Sequence, residues 1–274
     1  MIYLIKSKSK SKRNEKRMKM ENQIFESEHK INYYECDANQ QLTISMLVNI
    51  MMQVSGEHSQ ELGVGDEDLA EKGLAWIVLQ YAIEIKQMPT AHQKIKVSTQ
   101  ALSYNKLFCY REFNIYDEKG TLCVTAKSTF ALLDIEKRKM VRIQDEVVAP
   151  FQTPFSKKII RTPKPEKIIN DQMVENEYRV RYLDIDTNLH VNNSKYLDWA
   201  IDTLDYEFLT THKLTHLNVK FEKEVYYGNQ IKSQMSLFEN EEGKLISAHR
   251  ILTGEVVNSE ASMTWETNKK EANR

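Results

Sequence analysis

The sequence predicts an α+β protein built as two similar halves, each a strand, a helix and then an antiparallel meander. Three observations carry that expectation. First, Glu35-Cys36-Asp37-Ala38-Asn39-Gln40-Gln41 is echoed by Asp184-Ile185-Asp186-Thr187-Asn188-Leu189-His190, with Asp37 matching Asp186, Asn39 matching Asn188 and Gln41 standing where His190 does. The offset is constant at 149 residues (186 − 37), as a duplicated unit requires. Second, each copy leads into an apolar helical pattern and then into several alternating stretches. Third, residues 150–165 hold most of the prolines together with Lys157, Lys158, Arg161 and Lys164, the composition of a connector crossing a surface.

The elements follow in order. Alternation over 23–35 gives a first strand. Thr43 then offers an N-cap for a helix reaching about residue 61, in which Ile44, Leu47, Val48, Met51 and Val54 keep helical spacing. Met46, Ile50 and Met52 make its other faces apolar, so this helix is expected to be buried nearly all round. Strand patterns come next at 75–86, 94–104, 108–117 and 122–134, with turn signals at Met88-Pro89 and Glu118-Lys119-Gly120. The second half repeats the order: a strand over 175–182, a helix from Asn193 or Ser194 with Tyr196, Leu197, Ala200, Ile201 and Leu204 on one stripe, then strands near 214–225, 230–239, 244–253 and 255–266. Gly228-Asn229 and Gly243 supply turns. The expected division is a first half over 23–149, a connector over 150–174 and a second half over 175–268.

Residues 1–22 form a basic, Ser- and Lys-rich extension with its apolar residues before the charge, the reverse of a secretory signal. They read as disordered, or as preceding a true start at Met18 or Met20; the composition also permits organelle targeting. In the full chain of 274 residues the net charge is −1 and the pI about 6.7, which does not indicate nucleic acid as a partner. Cys36, Cys109 and Cys123 are scattered and unpaired in pattern, fitting a reducing compartment, so the expected location is cytoplasmic. No apolar run approaches the ~20 residues of a membrane span.

Function is concentrated in 181–193. Asp186, Asn188 and His190 alternate with Thr187 and Leu189, so an extended approach to the helix would point all three to one side, where helix N-terminal N–H groups face developing negative charge. Acid, amide and imidazole together are the make-up of a hydrolytic site. Singly, Asp184, Asp186, Asn192 and Asn193 read as caps and turn formers. His212 and His216 are spaced i, i+4 without an acidic partner, Gly63-Val64-Gly65 lacks the third glycine of a dinucleotide loop, and there is no G-x-S-x-G. No metal and no cofactor is expected.

Asp-Ile-Asp-Thr-Asn-Leu-His-Val-Asn-Asn running into Tyr-Leu-Asp-Trp resembles the acyl-carrier-protein thioesterases of plastids and bacteria. That resemblance implies a tandem (double) hotdog, each half a long central helix wrapped by an antiparallel sheet, and assigns Asp186, Asn188 and His190 to the active site. It adds Glu224, in Val219-Lys220-Phe221-Glu222-Lys223-Glu224-Val225. Some plant members carry Cys after that Glu; Val225 stands here, so water is left as the nucleophile, with Glu224 and His190 sharing its activation. In the first half Lys86 takes the Glu224 position by a looser alignment. The resemblance also implies that the first half houses the acyl tail, with Met46, Met51, Met52 and Trp76 as candidate walls, and that the partner is an acidic acyl carrier protein meeting Lys137, Arg138, Lys139 and Arg142 or the connector lysines. A homodimer is compatible but not required. The expected activity is hydrolysis of fatty acyl carrier-protein thioesters; an acyl-CoA thioesterase, a hotdog hydratase and a non-catalytic acyl sensor are the alternatives.

Overall fold

The computed structural model describes residues 24–268; the basic extension predicted at 1–22 lies outside them. The first half runs β1 (Phe25–Lys30), α1 (Ile44–Glu61), α2 (Asp66–Ala70), β2 (Leu74–Ile85), β3 (Lys94–Tyr104), β4 (Cys109–Tyr116), β5 (Leu122–Asp134), β6 (Lys139–Val141) and α3 (Asp145–Val148). The second runs β7 (Met173–Arg179), α4 (Asn193–Ile201), α5 (Tyr206–Thr211), β8 (His212–Phe221), β9 (Gln230–Glu239), β10 (Leu245–Thr253) and β11 (Val256–Thr267). All the strands belong to one antiparallel sheet, in the order β1-β3-β4-β5-β2-β8-β11-β10-β9-β7, with β6 beside β5. Each half contributes the same internal order, and β2 meets β8 at the centre with Gln80 opposite Lys220 and Glu84 opposite His216.

The helix α1 starts where Thr43 Oγ1 accepts the Met46 N–H at 3.2 Å and stops before Gly63, whose φ of 68° is the left-handed conformation that closes a helix. Ile44, Leu47, Val48, Met51 and Val54 are buried on it, as their spacing predicts. It packs on β1 and β3, while α4 packs on β9 and β10, and the two helices touch. One core results. Leu47, Met51, Phe113, Leu197, Leu217 and Met263 belong to the same buried cluster, so the halves share their interior.

Several boundaries differ from the sequence expectation for local reasons. The first strand ends at Lys30 and β7 at Arg179, because a buried acid reaches back to the start of a 3-10 turn in each half: Glu35 accepts from the Asn32 N–H at 2.6 Å and Asp184 from the Arg181 N–H at 2.7 Å. The second helix is half the length of the first. It ends at Ile201, where Thr203 Oγ1 bonds the Ala200 carbonyl, and Asp205 starts a new helix by accepting the Phe208 N–H. β8 stops at Phe221, which leaves Glu224 in irregular chain. The proline-rich connector is largely exposed, held by bonds from the Ser156 N–H to the Tyr104 carbonyl and from the Ile169 N–H to Ser236 Oγ.

Candidate active site

The duplicated motif folds as the same turn twice. At the constant offset lie two 3-10 turns, two isolated bridges (Cys36 with Leu42, Ile185 with Val191) and two left-handed residues, Gln40 at φ 60° and Leu189 at φ 65°. Neither is glycine, and left-handed backbone strains other side chains. The turn corrects the expectation of an extended segment, while Asp186, Asn188 and His190 nonetheless all line one cleft. Asp186 closes the turn: its N–H donates to the His190 carbonyl at 3.0 Å and its Oδ1 accepts the Asn188 N–H at 2.8 Å. The Asn188 side chain is left exposed without a hydrogen bond among the described residues.

The imidazole of His190 lies between two carboxylates. Nδ1 is 3.7 Å from Asp186 Oδ1 and 3.3 Å from the Val191 carbonyl, while Nε2 is 3.7 Å from Glu224 Oε1. A carbonyl acceptor at Nδ1 favours the tautomer with its proton there, leaving Nε2 an acceptor. Glu224 reaches this place because the Val191 N–H donates to the Val225 carbonyl at 2.9 Å, pinning the segment after β8 to the motif. The other carboxylate oxygen is occupied: Arg138 and Tyr226 Oη both donate to Glu224 Oε2, the latter at 2.7 Å. Burial alone would raise the Glu224 carboxyl, but bonds from Arg138 and Tyr226 and the charge of His190 outweigh it and hold the group below its usual range.

These groups line a cleft of about 570 Å³ between the halves. Val48, Asn49 and Met52 of α1 and Trp76 of β2 form its first-half wall, opposite the motif and Glu224. Beyond that wall a cavity of about 90 Å³ lies inside the first half, and Met52 and Trp76 line both. Of the other methionines expected to face a substrate, Met51 is fully buried in the core and Met46 touches neither space, its sulfur lying 3.7 Å from Asn49 Nδ2. Helical spacing put apolar residues on every face of α1 without saying which face meets the sheet. At the start of α4, Asn192 Oδ1 accepts the Ser194 N–H at 2.9 Å, whereas the Asn193 N–H, on the cleft, has no partner among the described residues. No cysteine lines the cleft; Cys109 lines the smaller cavity, where burial pushes its thiol up to about 12 against the pull of Arg111.

Two family models match the chain: the acyl-ACP thioesterase N-terminal domain over residues 22–151 and the C-terminal domain over residues 168–267. The chain belongs to the acyl-ACP thioesterase family. A crystal structure from Lactobacillus plantarum described as an oleoyl thioesterase shares 34% identity at a TM-score of 0.86, covering 89% of this chain and 96% of that one. The 12:0-ACP thioesterase of Umbellularia californica, at 21% identity and a TM-score of 0.78, covers 90% of this chain and 95% of its own, a likeness of fold. A chloroplastic acyl-[acyl-carrier-protein] hydrolase of Cuphea viscosissima is 26% identical over 231 residues, which are 80% of this chain and 56% of that protein. The chain therefore spans little more than half the length of the curated relatives it matches first.

Within this thioesterase-family chain the first copy of the motif has a cleft of its own. A second cleft of about 370 Å³ lies beside Asp37, Asn39 and Gln41. The Leu42 N–H donates to the Pro89 carbonyl as Val191 does to Val225, so the residue standing where Glu224 does is Met88. That corrects Lys86, which a count along the sequence had placed there; the strand-to-loop crossing is two residues longer in the first half than the count allowed. Gln41 and Met88 stand where His190 and Glu224 do, so the first copy lacks the matching acid–base pair, although Asp198, Asp202 and His212 from the second half also line this cleft. The sequence reading missed Tyr226 altogether and put Arg138 on a docking face. Arg138 arrives from the turn before β6 in the opposite half, with φ 51°, and no local pattern announces such a contact.

Proposed function

We propose that the protein hydrolyses the thioester of a fatty acyl group carried on acyl carrier protein, releasing the free fatty acid. The observation that supports this most is His190 held between Asp186 and Glu224 at the head of a cleft walled by α1 and Trp76. The attacking water donates one proton to His190 Nε2 and the other to Glu224 Oε1, which turns its lone pair toward the carbonyl carbon. As the C–O bond forms, His190 takes the first proton and the carbonyl oxygen gains the negative charge. The Asn193 N–H at the α4 terminus meets that charge, assisted by the exposed amide of Asn188. Collapse breaks the C–S bond, and the imidazolium returns its proton to the departing thiolate. Asp186 keeps the turn closed and supports the Nδ1 side of the cation.

Arg138 and Tyr226 keep Glu224 ionised, so His190 is the base and Glu224 the group that aims the water. The sign of the pH effect follows. His190 must be free to accept a proton and Glu224 must be charged, so protonation of either one removes activity as pH falls; Arg138 helps hold the Glu224 carboxyl low, and removing it raises that value. Arg138→Ala is therefore expected to raise the pH at which the Glu224 carboxylate titrates, followed by NMR or difference infrared spectroscopy, with Arg138→Lys restoring most of the shift. An unmoved carboxylate titration in Arg138→Ala would show that Arg138 does not hold Glu224 ionised.

The acyl chain enters the first half past Met52 and Trp76, and the carrier protein docks on the basic residues that remain exposed, Lys137, Lys139 and Arg142, or on the connector lysines. Three free thiols are consistent with work in the cytoplasm. Release of free thiol from matched acyl-carrier-protein and acyl-CoA thioesters tests the substrate. Preferential cleavage of the carrier form is expected; equal or better cleavage of acyl-CoA would move the reading to an acyl-CoA thioesterase.

A further inference from the structure

We propose that the small cavity of the first half is a subsite for the distal end of the acyl chain, where Arg111 selects chains that end in a hydrogen-bond-accepting oxygen. This presupposes the acyl-thioester reading and adds to it the chemistry of the chain's far end. The cavity shares Met52, Asp66 and Trp76 with the catalytic cleft, so the two spaces adjoin, and a chain lying along α1 from His190 reaches the cavity where these side chains give way. Phe130, Val148 and Phe151 make much of its wall apolar. Arg111 is the one cation on that wall among the described residues.

Arg111 is only 7% exposed, yet all its side-chain partners are neutral. Nη1 donates to His58 Nδ1 at 3.1 Å and to Thr99 Oγ1 at 3.0 Å, and the guanidinium carbon lies 5.2 Å from the centre of the Phe151 ring. Asp66, the carboxylate on the shared wall, is exposed and forms no ion pair with it. Burial lowers the guanidinium to about 10 and, helped by the Arg111 charge, lowers His58 to about 4. At neutral pH the arginine is thus charged and the histidine a neutral acceptor. The hydrogens on Nε and Nη2 have no partner among the described residues, neither atom is fully buried, and Arg111 lines the cavity.

A buried cation without a counter-charge is costly to keep. A methyl-ended chain pressed against it would strip its remaining solvation and return nothing. An oxygen at the chain end would instead accept from Nε–H and Nη2–H together, the fork that guanidinium presents and ammonium does not. A terminal hydroxyl and a terminal carboxylate both meet this requirement.

The test is equilibrium binding of uncleavable amide-linked acyl analogues of equal length, ending in methyl, hydroxyl or carboxylate, to the wild-type chain and to Arg111→Met and Arg111→Lys. At least one oxygen-ended analogue is expected to bind the wild type about tenfold or more tightly than the methyl-ended one, the size of a hydrogen bond to a charged donor. That preference should vanish in Arg111→Met and weaken in Arg111→Lys. A wild type that binds the methyl-ended analogue as tightly or more tightly overturns the proposal, and this comparison stands even if Arg111→Met fails to fold. Because binding is read without turnover, failure of the hydrolase reading would show separately, as absent thiol release from the corresponding thioesters.

Discussion

Replacing His190 with Ala is expected to lower kcat/KM for thioester hydrolysis by about 100- to 10,000-fold, the range for loss of a general base. The chain should stay folded. His190 is largely buried, but among the described residues its ring makes only one weak hydrogen bond, to the neighbouring Val191 carbonyl, and the turn that carries it is closed by backbone groups and by Asp186. KM should change little, since the imidazole meets the water and the reacting carbonyl, not the acyl tail. Thiol release followed at several substrate concentrations, with circular dichroism to show retained fold, checks this. A loss of less than about tenfold in a folded variant would remove His190 from the base role.

The second large effect is expected at Glu224. Glu224→Gln preserves shape and leaves the amide within reach of Tyr226, but it removes the charge that aims the water and leaves Arg138 unpaired. A fall of roughly 100-fold or more in kcat is expected, within the range for a positioned acid–base group, while an acid limb remains because His190 must still be free to accept a proton. Since His190 and Glu224 act on one water, their effects should not multiply. The double variant His190→Ala, Glu224→Gln should be about as slow as the worse single variant. Full multiplication of the two losses would mean that the residues act in separate steps.

Much of this arrangement was legible in the chain. Strand patterns over 94–104, 122–134 and 230–239 coincide with β3, β5 and β9, because half-buried strands alternate in polarity and their turns carry glycine or charged residues. The Thr43 cap and the apolar spacing of α1 were equally plain. The offset between Asp37 and Asp186 reported a duplication that the two identical turns bear out in backbone detail. What periodicity could not supply was the conformation at Gln40 and Leu189, since neither is a residue that signals a left-handed turn. Without that turn, the motif reads as an extended segment, although its three residues do line one cleft. Long-range pairings were also silent: Arg138 with Glu224, and Arg111 with His58 and Thr99, join residues far apart in sequence whose partners lie on other elements. Glu224 itself came from family resemblance; by pattern it is one charge among several at the end of a strand. Met51 shows the opposite limit, because an apolar residue on a helix reads the same whether it faces a substrate or the core.

Rapid quenching of wild-type protein mixed with acyl carrier protein thioester, followed by mass measurement of the protein, tests most directly whether His190 and Glu224 direct water at the carbonyl in a single step. Thiol and free fatty acid are predicted to rise together, with the protein at its unmodified mass throughout. A burst of thiol ahead of fatty acid, with the protein heavier by one acyl group, would contradict the account and make Glu224 or another side chain the nucleophile.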